Sequence, residues 1–376
     1  MRIAIVTAGG ADPSGTERVI PCLLWLIERL TGCGDEVHVF CLFHGKRPGP
    51  WPLLGATVHN AGGSDRMLRL FRQIVAEHRK APFEAIHTLW SVRANLTAIA
   101  AARLLRLPVL VYFGAGELAA LPDTARFGRQ LSPKGRLAFR IAAVAANRVG
   151  AQSGYIVELA RRRGVVAERM PLGVALDRWP PLPPRSRAAG APARLLHVAH
   201  ITPVKDHGML LTALARLQAM GIAFEIDCIG IDVAGDGVIQ RRAAELGLSQ
   251  RIRFHGFLPH HEMRPYFEAA DVLVLTSRYE AGPLVVLEAA VAGVPSVGTN
   301  VGHLAEWAPT AARVVEPRDG EGLALALADV LSNEDDRLQL AARAQERAVA
   351  ENADVTTRRF RQTYAQMRAG ASRVRQ

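Results

Sequence analysis

Short runs rich in Val, Ile and Leu alternate with longer helical patterns along this chain, and the whole alternation runs twice. Such runs read as parallel strands buried on both faces, each followed by a crossover helix. In the first half, strands are predicted near residues 2–8, 36–43, 84–89, 108–114 and 148–152. Helices are predicted near 16–31, 65–80, 92–105, 134–146 and 154–163. A proline cluster follows, Trp179-Pro180-Pro181-Leu182-Pro183-Pro184. Prolines fix backbone dihedrals and remove hydrogen-bond donors, which suits a linker. The pattern then restarts, with strands near 194–200, 224–230, 252–256, 271–276, 295–299 and 312–316. Its helices are predicted near 206–220, 237–247, 261–269, 283–292, 302–307, 320–332 and 334–351. The expectation is an α/β chain of two Rossmann-like, doubly wound domains. They cover residues 1–180 and 194–353, with a Pro-rich linker over 181–193. A basic helix over 354–376 is expected to pack back on the first domain. Ligands of such sheets sit beyond the C-terminal strand ends, so the cleft between the halves is the expected site.

Composition narrows the class. At roughly 100–200 residues per domain, two domains suit 376 residues. Cys22, Cys33, Cys41 and Cys228 form no C-x-x-C pair, so they read as reduced, inert thiols of a cytoplasmic protein. The start, Met1-Arg2-Ile3-Ala4-Ile5-Val6-Thr7-Ala8, reads as a first strand rather than a signal peptide. No apolar run approaches the ~20 residues of a membrane span. The net charge of +11 is uneven: residues 1–190 carry 26 Lys/Arg against 13 Asp/Glu, and the remainder carries 20 against 22. The basic half reads either as a solvated, high-pI surface or as attraction to something acidic, a membrane surface on the cytoplasmic side or an anionic acceptor. Nucleic acid is not expected, because the chain has no zinc-finger spacing, no RNP-like motif and only 6% aromatics.

Three segments carry chemistry. Ala8-Gly9-Gly10-Ala11-Asp12-Pro13-Ser14-Gly15 joins the first strand to the first helix, and its glycines permit close approach to a ligand. It is not a G-x-G-x-x-G dinucleotide fingerprint. His200-Ile201-Thr202-Pro203-Val204-Lys205 follows the first strand of the second half, where a lysine can neutralise a diphosphate. The most specific segment is Ser277-Arg278-Tyr279-Glu280-Ala281-Gly282-Pro283-Leu284-Val285-Val286-Leu287-Glu288. It reads as a strand end, a turn and a helix with Pro283 at its first position. Helix amino ends are anion sites, through unpaired N–H groups and the dipole. Glu288 is flanked by apolar residues and needs a partner, for which sugar hydroxyls are suited.

These residues resemble the retaining glycosyltransferases of family 4, which have the GT-B fold. The family's E-x7-E motif stands here as Glu280 and Glu288, followed by Ala289-Ala290-Val291-Ala292-Gly293-Val294-Pro295. The Gly15 loop, Pro171-Leu172-Gly173-Val174, Lys205 and Phe254-His255-Gly256-Phe257-Leu258 extend the match along the chain. The resemblance implies transfer of a sugar from a UDP- or GDP-sugar to a sugar or lipid-linked acceptor, with retention. It implies that Glu280 holds donor-sugar hydroxyls at the reacting face and Glu288 the ribose. Lys205 and the backbone from Ala281 and Gly282 through Pro283 to Leu284 would hold the diphosphate. Gly15 would approach the same diphosphate, and the backbone at Leu258 would meet the base. No metal or other cofactor is expected, since lysine and helix dipole stabilise the leaving group.

Two positions depart from the family pattern. His200 stands where many relatives carry an arginine. Val111-Tyr112-Phe113-Gly114-Ala115-Gly116-Glu117 has Gly114 where many carry a histidine, and Glu117 becomes the candidate for a catalytic role. Two other readings share the plan: a nucleotide-sugar 2-epimerase, and a binding protein that keeps the nucleotide site without turnover. Outside the motifs, His87 reads as a core histidine, Trp90 as a packed aromatic or an acceptor contact, and His303 as support for the Glu280 turn.

Overall fold

A computed structural model describes residues 1–45, 48–188 and 190–373. Ala189 of the expected linker and residues 374–376 of the last stretch lie outside the described residues. Contacts divide the chain into two compact units, Met1–Gly173 with Ala353–Gln376, and Val174–Asn352.

Unit 1 holds strands β1 (Arg2–Thr7), β2 (Glu36–Cys41), β3 (Gly49–Leu53), β4 (Ala56–Asn60), β5 (Ala85–Leu89), β6 (Val109–Phe113), β7 (Arg148–Ala151) and β8 (Glu168–Arg169). They form one sheet in the order β3-β4-β2-β1-β5-β6-β7-β8. All pairings are parallel except β3 with β4. Its helices are α1 (Pro21–Gly32), α2 (Arg66–Lys80), α3 (Val92–Leu105), α4 (Pro133–Ala145) and α5 (Gly154–Arg161). All six β1 residues are buried, as a strand covered by helices on both faces requires.

The β3–β4 hairpin, the two-residue strand β8 and the start of α1 differ from expectation. The β3–β4 hairpin escapes the sequence pattern because β3 reads Gly-Pro-Trp-Pro-Leu. Proline cannot donate to a ladder, but β3 is the edge strand, where a missing donor is tolerated. Helix α1 begins at Pro21 rather than near residue 16, with Pro21 at its first turn, where an absent N–H costs nothing.

Unit 2 holds β9 (Ala193–Val198), β10 (Phe224–Ile229), β11 (Ile252–Gly256), β12 (Val272–Leu275), β13 (Ser296–Thr299) and β14 (Arg313–Val315). Its helices are α6 (His207–Ala219), α7 (Val238–Glu245), α8 (Arg264–Ala269), α9 (Leu284–Val291), α10 (Gly302–Trp307), α11 (Gly320–Ser332) and α12 (Glu334–Ala350). The strand order is β11-β10-β9-β12-β13-β14, all parallel. This is the Rossmann order 3-2-1-4-5-6, which reverses direction between its first and fourth strands. Leu195, Ile226, Val272 and Val297 of four neighbouring strands pack with Leu214 of α6 and Leu327 of α11 in one core.

The proline-rich segment is fastened to unit 2. Leu182 N–H donates to Val291 O at 3.0 Å, and Gln345 Nε2 donates to Leu182 O at 2.6 Å. Buried Arg337 donates to Arg185 O at 2.7 Å, and Arg185 Nε to Glu268 O at 3.1 Å. Prolines lack donors but keep carbonyls, and long side chains meet carbonyls of this segment. The last helix, α13 (Ala353–Arg373), groups with unit 1. Thr356 Oγ1 donates to Pro171 O at 2.8 Å and accepts from Gly173 N–H at 3.0 Å.

Candidate functional site

The reversal of strand order in unit 2 falls between β9 and β12, whose pairing is parallel. Helices leave neighbouring strands on opposite faces there, so the loops beyond the strand ends diverge and leave a crevice. The β9 loop carries His200 and Lys205, and the β12 loop carries Ser277 and Glu280. Lys205 Nζ forms an ion pair with Glu280 Oε1, which also accepts from Ser277 Oγ at 2.7 Å. Backbone bonds set the register of the two loops. Arg278 N–H donates to Val204 O at 2.7 Å, and Thr276 Oγ1 donates to Lys205 O at 2.7 Å. From the next strand, Thr299 Oγ1 donates to Ser277 O at 2.6 Å. A Cβ on Gly302 would lie 2.8 Å from Pro283 Cδ and 3.1 Å from Glu280 Cβ, so glycine lets α10 close against the turn.

Pro283 is the N-cap of α9, with φ −66° and ψ 121°, rather than its first helical residue. Having no N–H, it contributes no donor at the helix amino end. Within the expected Ala281–Leu284 cradle, backbone donors therefore belong to Ala281, Gly282 and Leu284. Ala281, Gly282 and Pro283 are buried and Leu284 is half-buried.

Glu288 is only 1% exposed, and its partner in this structure is one the sequence did not reveal. His260 Nε2 donates to Glu288 Oε1 at 2.5 Å. The His260 ring lies 5.1 Å from the Trp179 ring, and Trp179 Nε1 donates to Glu288 O at 3.1 Å. Backbone and carboxylate of Glu288 are thus both held, one by the proline-rich segment and one by the turn after β11. Leu258, two residues before His260, is half-buried in that turn.

His200 is exposed at its ring yet fixed in orientation, because its Nδ1 accepts from Ile231 N–H at 2.9 Å. An Nδ1 that accepts leaves the proton of the neutral ring on Nε2. Burial and the Lys205 charge both lower its pKa, against a smaller opposing effect of Asp232. The loops meet closely here: a Cβ on Gly230, at φ +159°, would lie 2.1 Å from Ala199 O. His303 is fully buried, with its ring 5.8 Å from that of Trp307.

In unit 1, Gly15 has φ +68°, a left-handed conformation that glycine adopts freely. Its N–H donates to Asp12 O at 3.0 Å. Asp12 organises the loop: it accepts from Ser14 N–H at 2.9 Å, contacts His44 Nε2 at 2.6 Å and pairs with Arg18 at 3.2 Å. Burial pushes the Asp12 pKa up, but the bonds from Ser14 and His44 outweigh it and hold the value down at about 2.

Glu117 is 2% exposed and its Oε2 accepts from Ala115 N–H at 2.8 Å. Its Oε1 is buried without a hydrogen-bond partner among the described residues, and burial raises its pKa. A Cβ on Gly114 would lie 2.5 Å from Trp90 Nε1 and 2.9 Å from Gln152 Oε1. His87 is a core residue: it shares a 2.8 Å hydrogen bond with Tyr364 of α13, and burial lowers its pKa to about 3.

One group has the composition of a metal site. Ligand atoms of His38, His59 and Glu77 lie within 4.8 Å of one another. Hydrogen bonding accounts for the facing nitrogens. Arg2, which has only donors, contacts His38 Nε2 at 3.0 Å, and His38 Nδ1 meets His59 Nε2 at 3.0 Å.

Residues 182–347 match the family model described as glycosyl transferases group 1, a span that contains Lys205, His260, Glu280 and Glu288. The match lies within unit 2. Glycogen synthase of Mycobacterium tuberculosis is 35% identical over 163 residues, 43% of this chain and 39% of that protein. D-inositol 3-phosphate glycosyltransferase of Frankia alni is 28% identical over 248 residues, 61% of this chain and 60% of that protein. The chain thus spans 30–60% of the length of several curated relatives it matches. Among solved structures, sucrose-phosphate synthase of Thermosynechococcus elongatus has a TM-score of 0.81 at 20% identity, covering 98% of this chain and all of that one. Anabaena HepE in complex with UDP-glucose has a TM-score of 0.72 at 16% identity, covering 97% of this chain and all of that one. These likenesses show the GT-B fold of two Rossmann-like domains.

Both departures from the family pattern have a physical form. At position 114 the Trp90 indole fills the space a side chain would need. Trp90 itself has φ +59°, uncommon for a bulky residue. At position 200, where the resemblance leads one to expect an arginine, the ring is held by the bond from Ile231 N–H to its Nδ1. His260 and Trp179 were missed because neither belongs to a recognised motif. The one available signal was a buried glutamate on α9 with no cation nearby in sequence.

Proposed function

We propose that this protein transfers a sugar from a UDP- or GDP-sugar to an acceptor hydroxyl, with retention of anomeric configuration. The observation that carries the reading is the convergence of Lys205 and Glu280, from the β9 and β12 loops, at the strand reversal of unit 2 and beside the amino end of α9. Lys205, the Nε2–H of His200 and the α9 amino end hold the diphosphate. Together they stabilise the charge that develops as it leaves, without calling on a metal. Glu280 accepts from hydroxyls of the donor sugar. Glu288 accepts from the ribose, with His260 fixing its carboxylate. Leu258 backbone meets the base, and the neighbouring His260 turn sets its height. Glu117, buried and poorly matched, serves the acceptor side of unit 1. The names of the relatives support the class: synthases and transferases that act on sugars, and one solved structure with UDP-glucose bound. The basic half of the chain suits an anionic or lipid-linked acceptor met at the cytoplasmic membrane face. No helix among the described residues is long and apolar enough to cross a membrane.

The test is turnover with a panel of radiolabelled UDP- and GDP-sugars, scored for transfer and slow hydrolysis. The proposal expects release of the nucleoside diphosphate from at least one donor and its loss in Glu280→Ala. Tight donor binding with no turnover by any donor would instead identify a binding protein.

A further inference from the structure

Helix α4 of unit 1 turns an unusual face to solvent. Leu137 is 60% exposed, Ile141 47% and Val144 84%. Their spacing, i, i+4 and i+7, puts all three on one ridge. At about 100° per residue, Arg136 and Arg140 flank one side of that ridge and Lys134 the other. Each of these cations is exposed. The opposite face of the helix is spent on the core, through Phe139, Ala142 and Ala143. The ridge is therefore surplus to folding.

The charge around it has one sign. Residues 124–157 contain six Lys/Arg and no Asp or Glu. α3 packs beside α4. At the end of α3, Leu104 is 59% exposed and flanked by Arg103 and Arg106. Where α3 and α4 end, a recess of about 480 Å³ is lined by Arg103, Arg106 and Arg148.

From this we infer that the outer face of α4, with the adjoining end of α3, docks on an anionic lipid bilayer. Exposed aliphatic side chains gain from entering the acyl boundary, and the flanking cations gain from anionic headgroups. The recess is lined by three arginines, a concentration of positive charge suited to a headgroup phosphate. Charge decides against the other occupants. A second copy of the chain would bring this cationic face against itself in a two-fold contact, and like charges repel. Nucleic acid would use the cations but give the aliphatic ridge nothing. This refines the membrane part of the reading above and is independent of the donor site: a chain that transfers sugar but ignores vesicles loses this inference alone.

The experiment is co-sedimentation of the full chain with vesicles of phosphatidylglycerol and phosphatidylcholine, against phosphatidylcholine alone. Binding to the anionic vesicles should be at least tenfold tighter and weaken in high salt. Arg136→Glu with Arg140→Glu should weaken it about 25-fold or more, at about fivefold per cation lost. Leu137→Gln, Ile141→Gln and Val144→Gln together should weaken it at least tenfold, with the melting temperature unchanged because the side chains are exposed. The inference is overturned if anionic vesicles are not bound, or if the triple variant binds as tightly as the parent. It is equally overturned if the parent is a dimer that the triple variant makes monomeric, or if it prefers duplex DNA or RNA to vesicles.

Discussion

His260 is the residue on which the geometry of Glu288 depends, and its replacement gives a worked test. Glu288 is 1% exposed, and His260 Nε2 donates to its carboxylate at 2.5 Å. His260→Phe keeps a ring beside Trp179 and removes the donor. A hydrogen bond to a charged group contributes about 1.5–3 kcal/mol, and the carboxylate left behind is buried, so the cost belongs at the upper part of that range. At about 2–4 °C per kcal/mol for a domain of this size, the melting temperature should fall by about 4–12 °C. His260→Ala also loses the ring pair with Trp179, 5.1 Å away, for about 0.5–1.5 kcal/mol more. The assay is chemical denaturation of the parent, His260→Phe, Glu288→Gln and the double variant. Contact predicts a coupling energy of at least about 1 kcal/mol in that cycle. The reasoning is refuted if His260→Phe costs less than about 0.5 kcal/mol, or if the two substitutions add within about 0.5 kcal/mol.

Other outcomes follow from the titrating groups. Asp12 has a folded pKa of about 2 against an ordinary 3.8, so it stabilises above the unfolded value and the contribution fades as pH falls through about 2. Asp12→Asn should therefore cost up to about 2 kcal/mol at neutral pH and almost nothing near pH 2, read from urea melts across that interval. Four histidines resist protonation when folded, chiefly through burial: His59 and His207 at about 4, His87 and His197 at about 3. The unfolded chain takes up these protons below about 6.5. Stability should be intact above that pH and fall as pH drops, by up to about 1.4 kcal/mol per pH unit for each histidine. With two such histidines in each unit, acid unfolding should be steep between pH 6 and 4; a flat profile there would contradict their burial. Gly230→Ala should destabilise by several kcal/mol and release His200, because its Cβ would lie 2.1 Å from Ala199 O at φ +159°; a stable variant would show the loop relaxes.

Much of the fold was legible because parallel strands buried on both faces write themselves as apolar runs. All six strands of unit 2 fall where the sequence placed them. The β3–β4 hairpin was not legible, since prolines in β3 argue against a strand unless its edge position is known. The hydrogen bonds that hold the proline-rich segment were not legible because they use carbonyls that any sequence supplies; the donors, Gln345 and Arg337, lie far along the chain. The same limit applies at the site. Lys205 and Glu280 could be named from their loops, yet their ion pair depends on β9 and β12 being neighbours. His260 reaches Glu288 only through the turn after β11, and Trp90 fills the space at Gly114 only once β5 and β6 are paired.

The central claim is that the Lys205–Glu280 loops and the amino end of α9 receive a nucleoside diphosphate. Thermal shift with UDP, GDP and ADP on the full chain tests it directly, comparing the parent with Lys205→Met and Glu288→Ala. A ligand at 100 times its Kd adds about 2.7 kcal/mol to the folded state, so one nucleotide should raise the melting temperature by several degrees. Loss of the charged bonds should weaken that affinity about ten- to hundredfold in either variant. No shift with any of the three nucleotides, or the same shift in parent and variants, would contradict the account.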